Sequence, residues 1–229
     1  MYMYCNSPVK RYKTLMSNDI TSTAPRISLR IGDKAPDFSA RSTAGQVRMV
    51  DFRRKWLILF SHPADFTPVC TTEFVALARA HEEFTKRDCA LMALSVDSLF
   101  SHFAWLRMIR DTIGVEVRFP IIEDPTMVIA RAYGMIGTDD ADSGSIRSTF
   151  FIDPAGTIRA LTCYPANVGR SVTELLRTLD ALQAVDQGNL APADWILGEA
   201  LLSPPSIDLD DVYSAPDATG WFLRGAKHG

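Results

Sequence analysis

Cysteine is scarce in this chain, charge of either sign is nearly balanced, and long apolar runs are missing. Each shortage removes a class of function. The four cysteines among 229 residues are Cys5, Cys70, Cys89 and Cys163. None forms a CxxC pair or joins histidines at zinc-ligand spacing, so no dithiol motif or zinc module is written here and no metal or cofactor is expected. The set is too thin for the framework of a small secreted domain, and reduced thiols in a cytoplasm suit it best. A formal charge of −3, with no basic patch interleaved with aromatics, argues against nucleic-acid binding. No apolar stretch approaches the roughly 20 residues of a membrane span.

The hydrophobic and charged fractions, 47% and 22%, are those of an ordinary globular protein with a real core. Residues 1–26 read as an N-terminal lead. They carry Lys10, Arg11 and Lys13 with no acid before Asp19, but not the apolar block of a secretory signal; organellar targeting is the weaker reading of them. Residues 27–185 form the main domain. From 186 to 229 the texture changes to loops, prolines and isolated aromatics, a segment with little to pack on by itself.

The stretch Ser61 to Phe74 organises the domain. Before it, Trp56 to Phe60 is a short run of β-formers that reads as a strand buried on both faces. After it, Phe74, Leu77, Ala78, Ala80 and Phe84 recur at helical spacing. Cys70 therefore falls in the first turn of a helix leaving the C-terminal end of a central strand. Free backbone N–H groups and the positive end of the helix dipole favour an anion there, and a thiolate is one. Bringing a thiol from about 8.5 to about 6 takes roughly 3 kcal/mol, more than one exposed helix end supplies, so a cation must come from elsewhere in the chain.

The remaining pattern alternates strands and helices. Ile31 to Phe38 lays the chain along a sheet edge, and Val47 to Phe52 is a short strand, separated from the buried one by a solvated turn, Arg53 to Lys55. Cys89 to Val96 is a second buried strand. A helix capped by Asp97 or Ser98 runs to Arg110. Phe119 to Asp124 is a short strand with an edge proline, Pro120, followed by a helix from Pro125 toward Tyr133 and a loop from Gly134 to Ser145. Thr149 to Ile152 and Thr157 to Cys163 make a hairpin about the turn Asp153 to Gly156, and a last helix covers Ser171 to Ala184. This order predicts a three-layer α/β domain with a mixed central sheet.

Pro63, Thr67 and Cys70 form a P-x-x-x-T-x-x-C signature, and HPADFTPVCTTE closely resembles the one-cysteine subfamily of the peroxiredoxins. RSTFFIDPAGTIRA from Arg147, CYPANVGR from Cys163 and APADW from Ala191 extend the resemblance, which runs from about Ile27 to the C-terminus. It implies a thioredoxin-like fold with a C-terminal extension that embraces a partner subunit, and a homodimer or a ring of dimers. It also implies a thiol peroxidase in which Cys70 attacks hydrogen peroxide or a small organic hydroperoxide and becomes a sulfenic acid. Within that resemblance Thr67 can accept from the thiol or donate to peroxide, and Pro63 walls the sulfur from bulk water. Arg147 is the missing cation, with Glu73 orienting its guanidinium through a bidentate pair. Arg170 resembles a second arginine near the site, with a surface residue at a helix start as the rival reading. His62 is placed to hydrogen-bond the site. No cysteine follows Cys163, so an external thiol, glutathione or a thioredoxin-like protein, is the expected reductant.

Other residues take plainer readings. Cys89 and Cys163 lie in strands and are expected to be buried, although Cys163 or Cys5 could resolve an oxidised Cys70 after rearrangement. His81, His102 and His228 receive no role. The turn ahead of the buried strand lacks the serine of the GDSWG-like lipase motif known in one relative, so no lipase activity is expected. A redox sensor or holdase whose assembly responds to Cys70 oxidation is the rival function.

Overall fold

The computed structural model describes residues 29–136 and 146–226. The lead 1–26, Cys5, His228 and residues 137–145 of the expected loop from Gly134 to Ser145 lie outside the described residues. Among those described, seven strands form one mixed sheet: β1 (Ser39–Ser42), β2 (Gly45–Arg48), β3 (Trp56–Ser61), β4 (Cys89–Ser95), β5 (Ile121–Glu123), β6 (Arg147–Ile152) and β7 (Ile158–Tyr164). Their order across the sheet is β2-β1-β5-β4-β3-β6-β7. β3 is parallel to β4, β4 to β5, and the β6–β7 hairpin joins antiparallel on the other side of β3.

β3 is buried at all six positions, because both faces of the sheet are covered. Its alternate side chains serve two cores, as the two-residue period of a strand requires. Trp56, Ile58 and Phe60 pack with residues of the helices α1 (Pro68–Arg79), α2 (His81–Lys86), α3 (Leu99–Met108) and α5 (Val172–Ala184). Leu57 and Leu59 face the opposite core, where Ile129 and Ala130 of α4 (Val128–Ala132) meet Tyr133 and Phe150. The result is the three-layer, thioredoxin-like arrangement with a mixed sheet.

Four local expectations change. The expected strand Val47 to Phe52 ends at Arg48 and becomes a 3-10 turn over Met49–Phe52, because Asp51 folds back to accept from the Arg48 backbone and guanidinium. The helical run after Cys70 is two helices broken at Ala80, whose ψ of 4° leaves the α region. Pro120 is not at an edge: β1 pairs outside β5, and the proline sits one residue ahead of the strand, where a missing N–H costs no ladder bond. α4 starts at Val128 rather than Pro125, because buried Asp124 turns back to cap it and accepts from the Ala130 N–H at 2.7 Å.

Beyond α5 the chain forms a short 3-10 turn, Val185–Gln187, and isolated bridges that pair Leu190 with Leu202 and Leu202 with Gly225. Trp195 is buried, and Arg177 of α5 donates to its carbonyl. In a last short helix, α6 (Leu209–Tyr213), Leu209 and Tyr213 are exposed, as is Ile207 just ahead of it. Among the described residues no helix is long and apolar enough to cross a membrane.

Candidate active site

β3 ends at Ser61, and the six residues His62 to Thr67 turn the chain into α1. Thr67 is extended as the N-cap and Pro68 opens the helix, a position where its lacking N–H is harmless. Cys70 is thus the third helical residue, among backbone N–H groups that have no intrahelical acceptor. Its side chain is completely buried. β6 starts directly across the sheet from the end of β3, so the first residue of β6, Arg147, arrives beside the cysteine. Arg147 Nη1 donates to Cys70 Sγ at 3.3 Å and to Glu73 Oε2 at 2.7 Å. Its Nε and Nη2 both donate to the Ala166 carbonyl, which fixes the plane of the guanidinium. The structure therefore brings together the thiol and the distant cation expected from the helix end, 77 residues apart in sequence.

Glu73 departs from expectation in its partner. It gives Arg147 a single bond, whereas the bidentate pair is with Arg170: Nε to Oε1 and Nη2 to Oε2, each 2.8 Å. The Arg170 backbone N–H also donates to Oε1 at 2.8 Å. Arg170 is therefore not the exposed helix-start residue of the rival reading. It is buried, bonded to the Ser148 carbonyl and stacked over the Phe60 ring at 4.9 Å. Burial pushes the Glu73 carboxyl up, but the Arg170 hydrogen bonds and charge, with a lesser pull from Arg147, outweigh it and hold it below its ordinary value. One carboxylate thus bridges two buried guanidiniums and offsets only one of their charges, so the cluster keeps a net positive charge beside the sulfur.

Thr67 and Pro63 lie in the connecting loop. The Thr67 hydroxyl donates to the Ala64 carbonyl at 2.8 Å, which leaves its oxygen lone pairs as acceptors. Phe66 adopts a left-handed φ of 56°, a strained value for a bulky residue, so its neighbours must hold it. They do so through Asp65, which is buried and accepts from His62 Nε2 at 3.0 Å and His102 Nδ1 at 2.8 Å. Burial pushes the Asp65 carboxyl up, yet the His102 and His62 hydrogen bonds bring it down to about 2. Burial lowers His62 against a smaller upward pull from Asp65, so its imidazole is neutral near pH 7. Asp65 and His102 drew no expectation from the sequence; a histidine and an aspartate 37 residues apart give no periodic or spacing signal. The ligand atoms of His62, Asp65 and His102 lie within 4.8 Å of one another, and their separations are those of two hydrogen bonds sharing one carboxylate.

The other sulfurs have different surroundings. Cys89 opens β4 and is buried as expected, and its desolvation pushes the thiol up to about 12. Cys163 is a correction: it is exposed, because β7 is the last strand of the sheet and the side of it that carries Cys163 is left open beyond Ala160. Its Sγ lies 3.6 Å from the Ser148 hydroxyl.

A buried cysteine at a helix start, with one guanidinium on its sulfur, can present a thiolate to a small electrophile and stabilise charge that develops on the atom leaving. Comparison with known proteins agrees. The AhpC/TSA family matches residues 31–161. The chain is 46% identical over 192 residues to "Peroxiredoxin 2" of Caldanaerobacter subterraneus, covering 83% of this chain and 87% of that one. It is 50% identical over 169 residues to "Peroxiredoxin" of Aquifex aeolicus, covering 73% and 76%. Among solved structures, a yeast mitochondrial 1-Cys peroxiredoxin is similar with a TM-score of 0.78 and 39% identity over 87% of this chain and all of that one. Peroxiredoxin 6 of Arenicola marina is similar with a TM-score of 0.76 and 31% identity over 88% of this chain and all of that one. The helix-end cysteine, the arginine that reaches it across the sheet and these likenesses together place the chain in the AhpC/TSA family, as a peroxiredoxin and hence a thiol-dependent peroxidase.

Proposed function

We propose that this peroxidase reduces hydrogen peroxide and small organic hydroperoxides through Cys70, in a one-cysteine cycle completed by an external thiol. The observation that carries the reading is the 3.3 Å hydrogen bond from Arg147 to the Cys70 sulfur inside a cluster with excess positive charge. The Cys70 thiolate attacks the terminal oxygen of the hydroperoxide. An S–O bond forms, the O–O bond breaks, and the departing oxyanion takes up a proton and leaves as water or an alcohol. Arg147 stabilises both the attacking sulfur and the departing oxygen, because a guanidinium offers several donors in one plane. Thr67 accepts a hydrogen bond from the peroxide OH, Pro63 excludes bulk water, and the Glu73–Arg170 pair sets the Arg147 head group. A first reductant thiol then displaces hydroxide from the sulfenic acid as water and forms a mixed disulfide, and a second thiol releases Cys70.

An external reductant fits the other two described cysteines. Cys89 is buried and hard to ionise, and Cys163 faces solvent on an outer strand. The similar yeast structure concerns thiol resolving through glutathione and thioredoxin systems, which supports a reductant of either kind. The exposed Ile207, Leu209 and Tyr213 of the C-terminal segment suit a homodimer in which that segment lies on the partner, with a ring of dimers as the larger form. Reduced thiols suit the cytoplasm. Steady-state peroxide consumption with a dithiol reductant tests the reading: Cys70→Ser abolishes turnover, whereas unchanged turnover would favour a sensor or holdase.

A further inference from the structure

The segment from Asp97 through α3 grips the loop that carries Pro63 and Thr67 at three points. The Asp65 backbone N–H donates to Asp97 Oδ2 at 2.7 Å. His102 Nδ1 bonds Asp65 Oδ2 at 2.8 Å. Trp105 Nε1 donates to the Thr71 hydroxyl at 3.2 Å, and that hydroxyl in turn donates to the Thr67 carbonyl at 2.7 Å. His102 and Trp105 are one turn apart on the same face of α3, and both are completely buried. Trp105 also stacks on His62, with ring centroids 5.4 Å apart. Asp65 is where these ties converge. Its second oxygen holds His62, the first residue after β3, so a single carboxylate links the start of the loop to α3.

Among the described residues, Asp97, Asp65, His102 and Trp105 are not bonded to the Cys70 sulfur or to the Glu73–Arg147–Arg170 cluster, which restrains the cysteine from the β6 side. The two restraints therefore divide the work: the arginine side governs the sulfur, and the α3 side governs the loop that wraps it. The left-handed Phe66 shows why the loop needs holding, since a bulky non-glycine residue there is strained and persists only where its surroundings fix it. An aspartate whose two oxygens are each bound, on the residue just before Phe66, does that fixing.

We propose that His102 is a positioning residue for peroxide reduction: through Asp65 it holds the His62–Thr67 loop in the shape that accepts a hydroperoxide, without touching substrate or sulfur. The inference rests on the peroxidase reading of Cys70. Only the Nδ1 proton of His102 is used. Among the described residues its Nε2 has no hydrogen-bond partner, so what matters is a donor at the δ position, not the whole ring.

That requirement sets the test. In His102→Asn the amide nitrogen can occupy the place of Nδ1, in His102→Gln the donor is shifted to the ε place, and in His102→Leu it is gone. For each folded variant, the second-order rates of Cys70 with hydrogen peroxide and with iodoacetamide are measured side by side. Alkylation needs a reactive, reachable sulfur but not a loop shaped for peroxide. Misplacing reacting groups by about 1 Å costs up to about 100-fold, so a loosened loop should slow the peroxide reaction of His102→Leu and His102→Gln by about tenfold or more. Alkylation in those variants stays equal or rises, and His102→Asn stays within about threefold of the parent in both reactions. Should His102→Leu fail to fold, the Asn and Gln pair carries the same contrast. Peroxide rates within twofold of the parent for Leu and Gln would overturn the proposal, as would a parallel fall in both reactions. Peroxide consumption by the parent that survives Cys70→Ser would overturn the underlying reading first, and is distinguished by needing no change at His102.

Discussion

Two cysteines sit at opposite ends of the central parallel strands and are almost equally hidden, Cys70 at 0% exposure and Cys89 at 5%. β3 and β4 run in register from the Trp56–Cys89 pair to the Ser61–Leu94 pair, so Cys89 marks the entry end of the sheet and Cys70 lies just past the exit end. Burial alone does not separate them. At the entry end the sulfur meets the Ala90 carbonyl at 3.5 Å, an acceptor that offers nothing to a negative sulfur, and desolvation raises the thiol to about 12. At the exit end a guanidinium donor, a helix start and a cluster of two cations to one acid surround the sulfur. The two sulfurs thus differ in the fixed charges around them and not in their depth.

The difference can be broken by removing its charges one at a time. Glu73→Gln should have the largest effect, because it strips the counter-charge from two buried guanidiniums. Leaving such charges uncompensated costs about 3–5 kcal/mol, to be read as a lower denaturation midpoint in urea with an unchanged m-value. Arg147→Gln makes the exit end resemble the entry end. It keeps a donor but loses the charge, and the second-order rate with hydrogen peroxide should drop about 100-fold by stopped-flow, the magnitude typical of a lost oxyanion-stabilising donor. A rise in Cys89 alkylation alongside that drop would show a global loosening instead.

The smallest expected effect is on acid stability, and it sharpens the contrast because it comes from the exit end alone. His62 is lowered from 6.5 in the fold, so below that pH the unfolded chain binds the proton more readily and stability declines. Asp65 lies at about 2 against an ordinary 3.8. Its contribution, about 2 kcal/mol, is complete above the ordinary value and is lost as pH falls through the folded one. Asp65→Asn should remove the steep part of the acid limb between about pH 4 and 2, while Cys89→Ala leaves that limb in place.

The sequence made much of the exit end legible. A buried strand, a proline-punctuated loop and a helical period place Cys70 at a helix start from local pattern alone, and the need for a distant cation follows from the weakness of a single helix dipole. Arg147 could be picked out only through the resemblance, because a buried ion pair across 74 residues leaves no periodic trace. For the same reason the bidentate partner of Glu73 was misassigned, since either arginine satisfies the same acid on paper. His102 and Asp65 escaped notice because each looks ordinary in its own segment. Cys163 was expected to be buried because β-forming neighbours mark a strand without telling whether the strand is central or last in the sheet. Pro120 misleads in the opposite direction: the β1–β2 hairpin, whose Thr43 meets Ile121 across 78 residues of chain, covers the edge that the proline is expected to mark.

The most direct measurement is peptide mapping by mass spectrometry after one equivalent of hydrogen peroxide, with sulfenic acid trapped by a nucleophilic probe. The account predicts one added oxygen on Cys70, with Cys89 and Cys163 unmodified. Oxidation at Cys163 or Cys89 while Cys70 stays reduced would contradict it.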